Sequence, residues 1–141
     1  MTEQELQTEN AHAHYDEAQK IATIIYSGEL EASATVAVYG WLDALYERVG
    51  LGNVDGVIFD FSAVTAFVGD NLKIARRASS KMNMSKDTSR FPVALVVSTP
   101  EQEEILRGPM RISAENLRKR IVYSQQDALN FIHTWQPTRD K

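Results

Sequence analysis

Two short stretches limit this chain more than anything else in it. GVIFDFS, residues 56–62, and FPVALVVS, residues 91–98, are apolar at almost every position. A strand that buries one face alternates apolar and polar residues, whereas a strand apolar throughout must be covered on both faces. The usual cover is a layer of helices on a mostly parallel sheet, so the segments between such strands should be helical. Their spacing agrees.

The first strand is IATIIYSG, residues 21–28, which is β-branched and aromatic and stops at Gly28. Ser33 is placed to cap a helix that runs to about Val49, with Val38, Leu42, Leu45 and Val49 forming one apolar stripe and Gly50 at the C-cap position. The second strand covers residues 54–62. A helix from about Asp70 to Met84 follows, with Leu72, Ala75, Ala78, Ser79 and Met82 inward and Lys73, Arg76, Arg77 and Lys81 outward. After the strand at 91–98, Pro100 and the acids Glu101, Glu103 and Glu104 open a third helical region. Gly108 and Pro109 interrupt it before it resumes over Ser113–Leu117. RIVYS, residues 120–124, is a short fourth strand. QQDALNFIHTW closes the chain with a helix that turns Ala128, Leu129, Ile132 and Trp135 inward. The expectation is an α/β domain of order βαβαβαβα, with a small, four-stranded, mostly parallel open sheet.

The 141 residues suit one domain with a real core. Residues 1–17 read as a polar arm, 18–136 as the domain and 137–141 as a tail. There is no cysteine, which excludes disulfides, thiolate metal sites and a cysteine nucleophile. No apolar run approaches the roughly 20 residues of a transmembrane helix, and the polar start MTEQELQTENAHAH is not a signal peptide, so a cytoplasmic protein is expected. Residues 1–50 carry nine acids against Lys20 and Arg48, while the remainder is mildly basic. With a net charge of -4, nucleic-acid binding has no support.

Catalytic signatures are missing. There is no G-x-S-x-G, no H-E-x-x-H, no Walker-type loop, and no G-x-G-x-x-G after the first strand. Gly50 and Gly52 precede a strand, the wrong context for a dinucleotide fingerprint. His12 and His14 have a spacing that can bind a metal if the segment is extended, but no third ligand accompanies them. His133 reads as packing near Trp135. Asp60 stands near the carboxyl end of its strand, where it reads as a residue bonding nearby loop amides. Arg107, Arg111, Arg118, Lys119 and Arg120 read as a solvated basic face. No catalytic residue, metal site or cofactor is expected.

The order IIYSGELEASA, GVIFDFSAVTAF, PVALVVST and RIVYSQQDALNFIHTW resembles the STAS domains, the sulfate transporter and anti-sigma-factor antagonist domains. It is most similar to their small stand-alone bacterial relatives, over about residues 20–135. In the phosphorylated antagonists an Asp-Ser-Ser-Gly-like motif follows the second of these strands, and its second hydroxyl is the kinase target. With Asp60 on the family's strand aspartate, the resemblance places Val68-Gly69-Asp70-Asn71 over that motif. The acceptor position is then Asp70, which a serine kinase cannot modify. Asp70 reads as a helix cap, with a standing negative charge in place of phosphoserine as the functional alternative.

The resemblance implies a non-enzymatic regulatory domain that binds another protein through Gly69, Asp70 and Asn71. The alternative is a small-molecule or lipid-binding module with Tyr39, Trp41 and Phe67 around an apolar pocket. Open sheet edges leave a homodimer available.

Overall fold

The computed structural model describes residues 5–68, 73–74, 77–78, 81, 91–107 and 119–135. The strands are β1 (Glu5–Gln7), β2 (Ala11–Asp16), β3 (Ile21–Leu30), β4 (Gly56–Phe67), β5 (Val93–Val96) and β6 (Lys119–Val122). They form a single six-stranded sheet in chain order. β1, β2 and β3 are antiparallel neighbours, and β3, β4, β5 and β6 are parallel. The helices are α1 (Ala32–Val49), α2 (Pro100–Arg107) and α3 (Gln125–Thr134). Lys73, Ile74, Arg77, Ala78 and Lys81 are helical, with the three basic residues exposed as expected. The resumed helix expected at Ser113–Leu117 lies outside the described residues.

The mixed α/β class is as expected, but the sheet has six strands where four were expected. The two extra strands come from the segment read as a polar arm. AHAHYD alternates: Ala11, Ala13 and Tyr15 are buried, while His12, His14 and Asp16 are half-exposed. Alanine contributes little apolar area, so the period of two is faint in hydropathy although the packing is complete. The Tyr15 hydroxyl donates to the Asn53 carbonyl at 2.5 Å and ties the hairpin to the loop before β4.

The parallel strands follow one another without reversal, and right-handed crossovers then set their helices on one face. Val38, Leu42 and Leu45 of α1 and Leu106 of α2 accordingly share a core with Ala22, Ile24, Val57 and Phe59. Val49, the last member of the α1 stripe, is half-buried, and Gly50 ends the helix at φ 87°. The N-cap is Glu31, two residues before the expected Ser33, and it makes no side-chain cap bond. α3 follows the last strand and packs on the opposite face, where Ala128, Phe131 and Ile132 meet Ile21, Ile58, Ala94, Val96 and Val122. The approach is close: a Cβ on Gly56 would stand 2.7 Å from Ile132 Cγ2. Among the described helices none is long and apolar enough to cross a membrane.

α3 lies over β4, β5 and β6 and reaches Ile21 at the start of β3; beyond Ile21 no described helix lies above the β1–β3 half of that second face. Register places Glu5, Gln7, His12, His14, Asp16, Thr23 and Ile25 there, with Ile25 37% exposed.

Candidate functional site

The carboxyl ends of the parallel strands converge around the exit of β4, the region where ligands of open α/β sheets bind. β4 pairs with β5 only from Val57 to Asp60, yet it stays paired with β3 as far as Phe67. Its last seven residues therefore project past β5 with a neighbour on one side only. Two irregularities bend this projection. Between Ile25 and Ser27 of β3 the partner on β4 moves from Asp60 to Ala63, and between Gly28 and Glu29 it moves from Val64 to Ala66. Each leaves one extra residue on β4, as in a bulge, and increases the local twist. Gly28 accommodates the distortion at φ 71°.

Gln102, in the first turn of α2 and only 8% exposed, takes the place of the missing strand neighbour. Its Nε2 donates to the carbonyls of Phe61 (3.0 Å) and Val64 (2.9 Å). Its Oε1 accepts from Ser98 N at 2.7 Å. Ser98 Oγ lies 3.0 Å from the Ser62 carbonyl and 3.2 Å from Gln102 Oε1, so it serves the same network. Buried carbonyls on an unpaired strand edge are costly unless bonded, and one side-chain amide satisfies two of them. Thr99 caps α2 by accepting from Gln102 N at 3.1 Å, which sets the angle at which Gln102 reaches across.

Asp60 is buried, 7% exposed, and fully engaged. Its Oδ1 accepts from Ser62 N (2.9 Å) and Ser62 Oγ (2.6 Å), and its Oδ2 accepts from Gln125 Nε2 (2.7 Å) at the start of α3. The bond to the Ser62 amide agrees with the sequence reading; the link to α3 is new. Ser124 caps α3 by accepting from Asp127 N at 3.0 Å. At the rim, the Tyr123 hydroxyl donates to Glu103 Oε1 (2.6 Å), and Arg107 Nε donates to Glu103 Oε2 (2.7 Å). The Tyr123 bond, with Arg107 assisting, holds the Glu103 carboxyl below the usual range, and the same bond raises the Tyr123 phenol.

Gly69, Asp70 and Asn71 lie outside the described residues. Val68, just before them, is fixed by its N–H, which donates to Leu30 O at 3.0 Å. Tyr39 and Phe67 are half-buried at the two ends of a run of rings: Tyr39–Phe59 at 6.1 Å, Phe59–Phe61 at 6.5 Å and Phe61–Phe67 at 6.0 Å. Tyr26 stacks on Phe61 at 5.0 Å. Burial, with Tyr39 nearby, pushes the Tyr26 hydroxyl well above the usual phenol range. Trp41 is off this run, 9% exposed, and its buried Nε1 has no hydrogen-bond partner. All three expected residues belong to one hydrophobic cluster, Tyr39 and Phe67 joined through the stacked rings and Trp41 packed in the same cluster outside that run.

Sequence reading missed Gln102. The available signal was its place four residues before Leu106, on the apolar side of an otherwise acidic first turn. His12 and His14 lie side by side on β2 with ring centroids 5.9 Å apart. Among the described residues no group of three or more His, Asp or Glu side chains is placed to hold a metal ion.

No protein-family model and no curated protein sequence matches the chain. Solved structures do match. The anti-sigma factor antagonist SpoIIAA in its unphosphorylated form is similar over 89% of this chain and 99% of its own, with a TM-score of 0.60 at 10% identity. An anti-sigma factor antagonist from Mycobacterium paratuberculosis is similar over 91% of this chain and 99% of its own, with a TM-score of 0.57 at 17% identity. A DUF3478-family protein with a SpoIIAA-like fold from Shewanella loihica covers 91% of this chain and 90% of its own, with a TM-score of 0.54 at 12% identity. The STAS-like fold expected from the sequence is therefore the fold the chain has.

Proposed function

We propose that this chain is a non-enzymatic, cytoplasmic regulatory domain that binds another protein through the turn after β4, residues Gly69–Asn71. The observation that carries this reading is the exit of β4. Seven residues run past the end of β5, braced on one side by β3 and on the other by Gln102. The chain is held up to Val68, whose N–H donates to Leu30 O, so the point from which Gly69–Asn71 depart is fixed, and ordering paid in advance lowers the entropic cost of binding. The resemblance to the antagonists assigns the same turn, and two of the similar structures are anti-sigma factor antagonists. With Asp70 at the acceptor position, the domain carries a constant negative charge and has no serine there to switch. A basic patch on the partner fits that charge.

The test is an affinity capture with wild-type, Asp70→Ala and Asp70→Lys chains, with the captured protein identified and its binding measured in purified form. Loss of binding in both variants, greater for the lysine, is expected. Equal binding by all three refutes the assignment.

A second reading has one observation in its favour. The indole N–H of Trp41 is a buried donor without a partner, which an acceptor on a small apolar ligand would satisfy, and it shares a hydrophobic cluster with Tyr39 and Phe67. Native mass spectrometry of gently purified protein decides it. Added mass of a few hundred daltons supports a ligand, and clean apo peaks leave the protein-contact reading alone.

A further inference from the structure

We propose that the β1–β3 half of the second sheet face, over His12 and His14 where no described helix lies, binds a zinc ion between two copies of this chain, with His12 and His14 of each copy as its four ligands. This is independent of the reading at the β4 exit.

The argument starts from the strand. In β2 the side chains of residues 12 and 14 point to the same face, and both imidazoles are half-exposed there. Their ring centroids are 5.9 Å apart. Zinc–nitrogen bonds of about 2.0–2.1 Å in a tetrahedron put two ligating rings roughly 5 Å apart, so a small rotation of either ring closes the pair on one ion. The surroundings favour a cation. Glu5 stands directly across from His14, and Asp16 follows on the same face of β2. A carboxylate near a ligating imidazole also orients the ring and raises its basicity.

Two ligands are half of a closed zinc site, and among the described residues this chain offers no third. The missing half is supplied by symmetry. On the β1–β3 half of this face Ile25, the residue paired with His12, is 37% exposed, and no described helix covers it. Stacked sheets sit about 10 Å apart. The mid-plane is then about 5 Å from each sheet, within reach of an imidazole nitrogen. A two-fold axis running along β2 brings the two histidine pairs together and lays each β1 over the other copy's β3, which buries Ile25. The contact is isologous, as dimer contacts usually are.

The experiment is sedimentation or light-scattering mass of the full chain with EDTA and with zinc chloride, together with zinc stoichiometry by calorimetry. Zinc is expected to double the mass with one ion per two chains, and EDTA is expected to reverse it. Cobalt in place of zinc should give the visible absorption of a tetrahedral nitrogen site. His12→Ala and His14→Ala should each abolish the mass change while retaining the wild-type circular dichroism. If either loses its fold, His12→Asn and His14→Asn replace them. Ile25→Glu should weaken zinc-driven association at least tenfold with both ligands intact. Three results overturn the proposal: no zinc uptake, one zinc per chain with the mass unchanged, or zinc-driven association that survives in the double histidine variant.

Discussion

Gln102→Leu is the most informative single substitution in this fold. Leucine matches the volume of glutamine and suits the buried side of α2, so packing alone predicts a small gain. The hydrogen bonds predict the reverse. The substitution strands the carbonyls of Phe61 and Val64 and the amide of Ser98, all of which Gln102 serves. A buried polar group left unpaired costs roughly 1–3 kcal/mol, and the added apolar burial recovers about 1 kcal/mol. With the two buried carbonyls unpaired, a net loss of about 1–5 kcal/mol follows, which at a urea slope of roughly 1–3 kcal/mol/M moves the midpoint down by about 0.3 M or more. Amide exchange at Ser98 should accelerate with it. A midpoint shift below about 0.3 M would refute the bracing role.

Gln102→Glu sharpens the test, because a carboxylate there confronts two carbonyl oxygens and only the protonated acid can donate to one of them. Its folded-state pKa must therefore lie above the unfolded value of about 4.3. Stability is retained below that value and lost as pH rises through the raised folded pKa. The variant should be closest to wild type near pH 4, and the gap should widen toward pH 7.

Gly56→Ala forces a Cβ to within 2.7 Å of Ile132 Cγ2 and should cost about 1–3 kcal/mol in thermal or urea unfolding; Ile132→Ala in the same chain should relieve part of that clash. Asp60→Asn sets an amide donor against Gln125 Nε2 or removes the bonds to Ser62, for a loss of about 1–3 kcal/mol; Gln125→Glu added to it should restore one bond and part of the stability. At the rim, the Glu103 carboxyl is depressed in the folded state, so its contribution is present above the unfolded pKa and lost as pH falls through the folded one. A side-chain NMR titration should show the Glu103 midpoint below that of an ordinary glutamate, and Tyr123→Phe should bring it back up.

How much of this was legible in the sequence depended on how each element is buried. Strands covered on both faces announce themselves as unbroken apolar runs, so β4 and β5 were readable from Val57–Phe59 and Val93–Val96 alone. The far half of β4 was not. Ser62 and Thr65 made it look finished, because past Asp60 it has a neighbour on one side only and carries polar residues outward. β2 was hidden for another reason: its inward positions are Ala11 and Ala13, which fill a tight space and barely register as hydrophobic. At the candidate site, Asp60 could be singled out by its place at a strand end. The role of Gln102 could not, since the carbonyls it serves lie 38 and 41 residues earlier and only the packed fold brings them to it.

The sheet also records an order of assembly. Its strands lie in chain order, so each strand has only to find the one synthesised just before it. The closures differ greatly in difficulty. Four residues join β2 to β3, while 25 separate β3 from β4. By loop-closure entropy alone the hairpin is favoured by about 1.6 kcal/mol over the first parallel pairing. The N-terminal segment thus supplies the most local strand pairings in the sheet. It is a ready edge for β3 while the slower parallel strands are still being recruited on the other side.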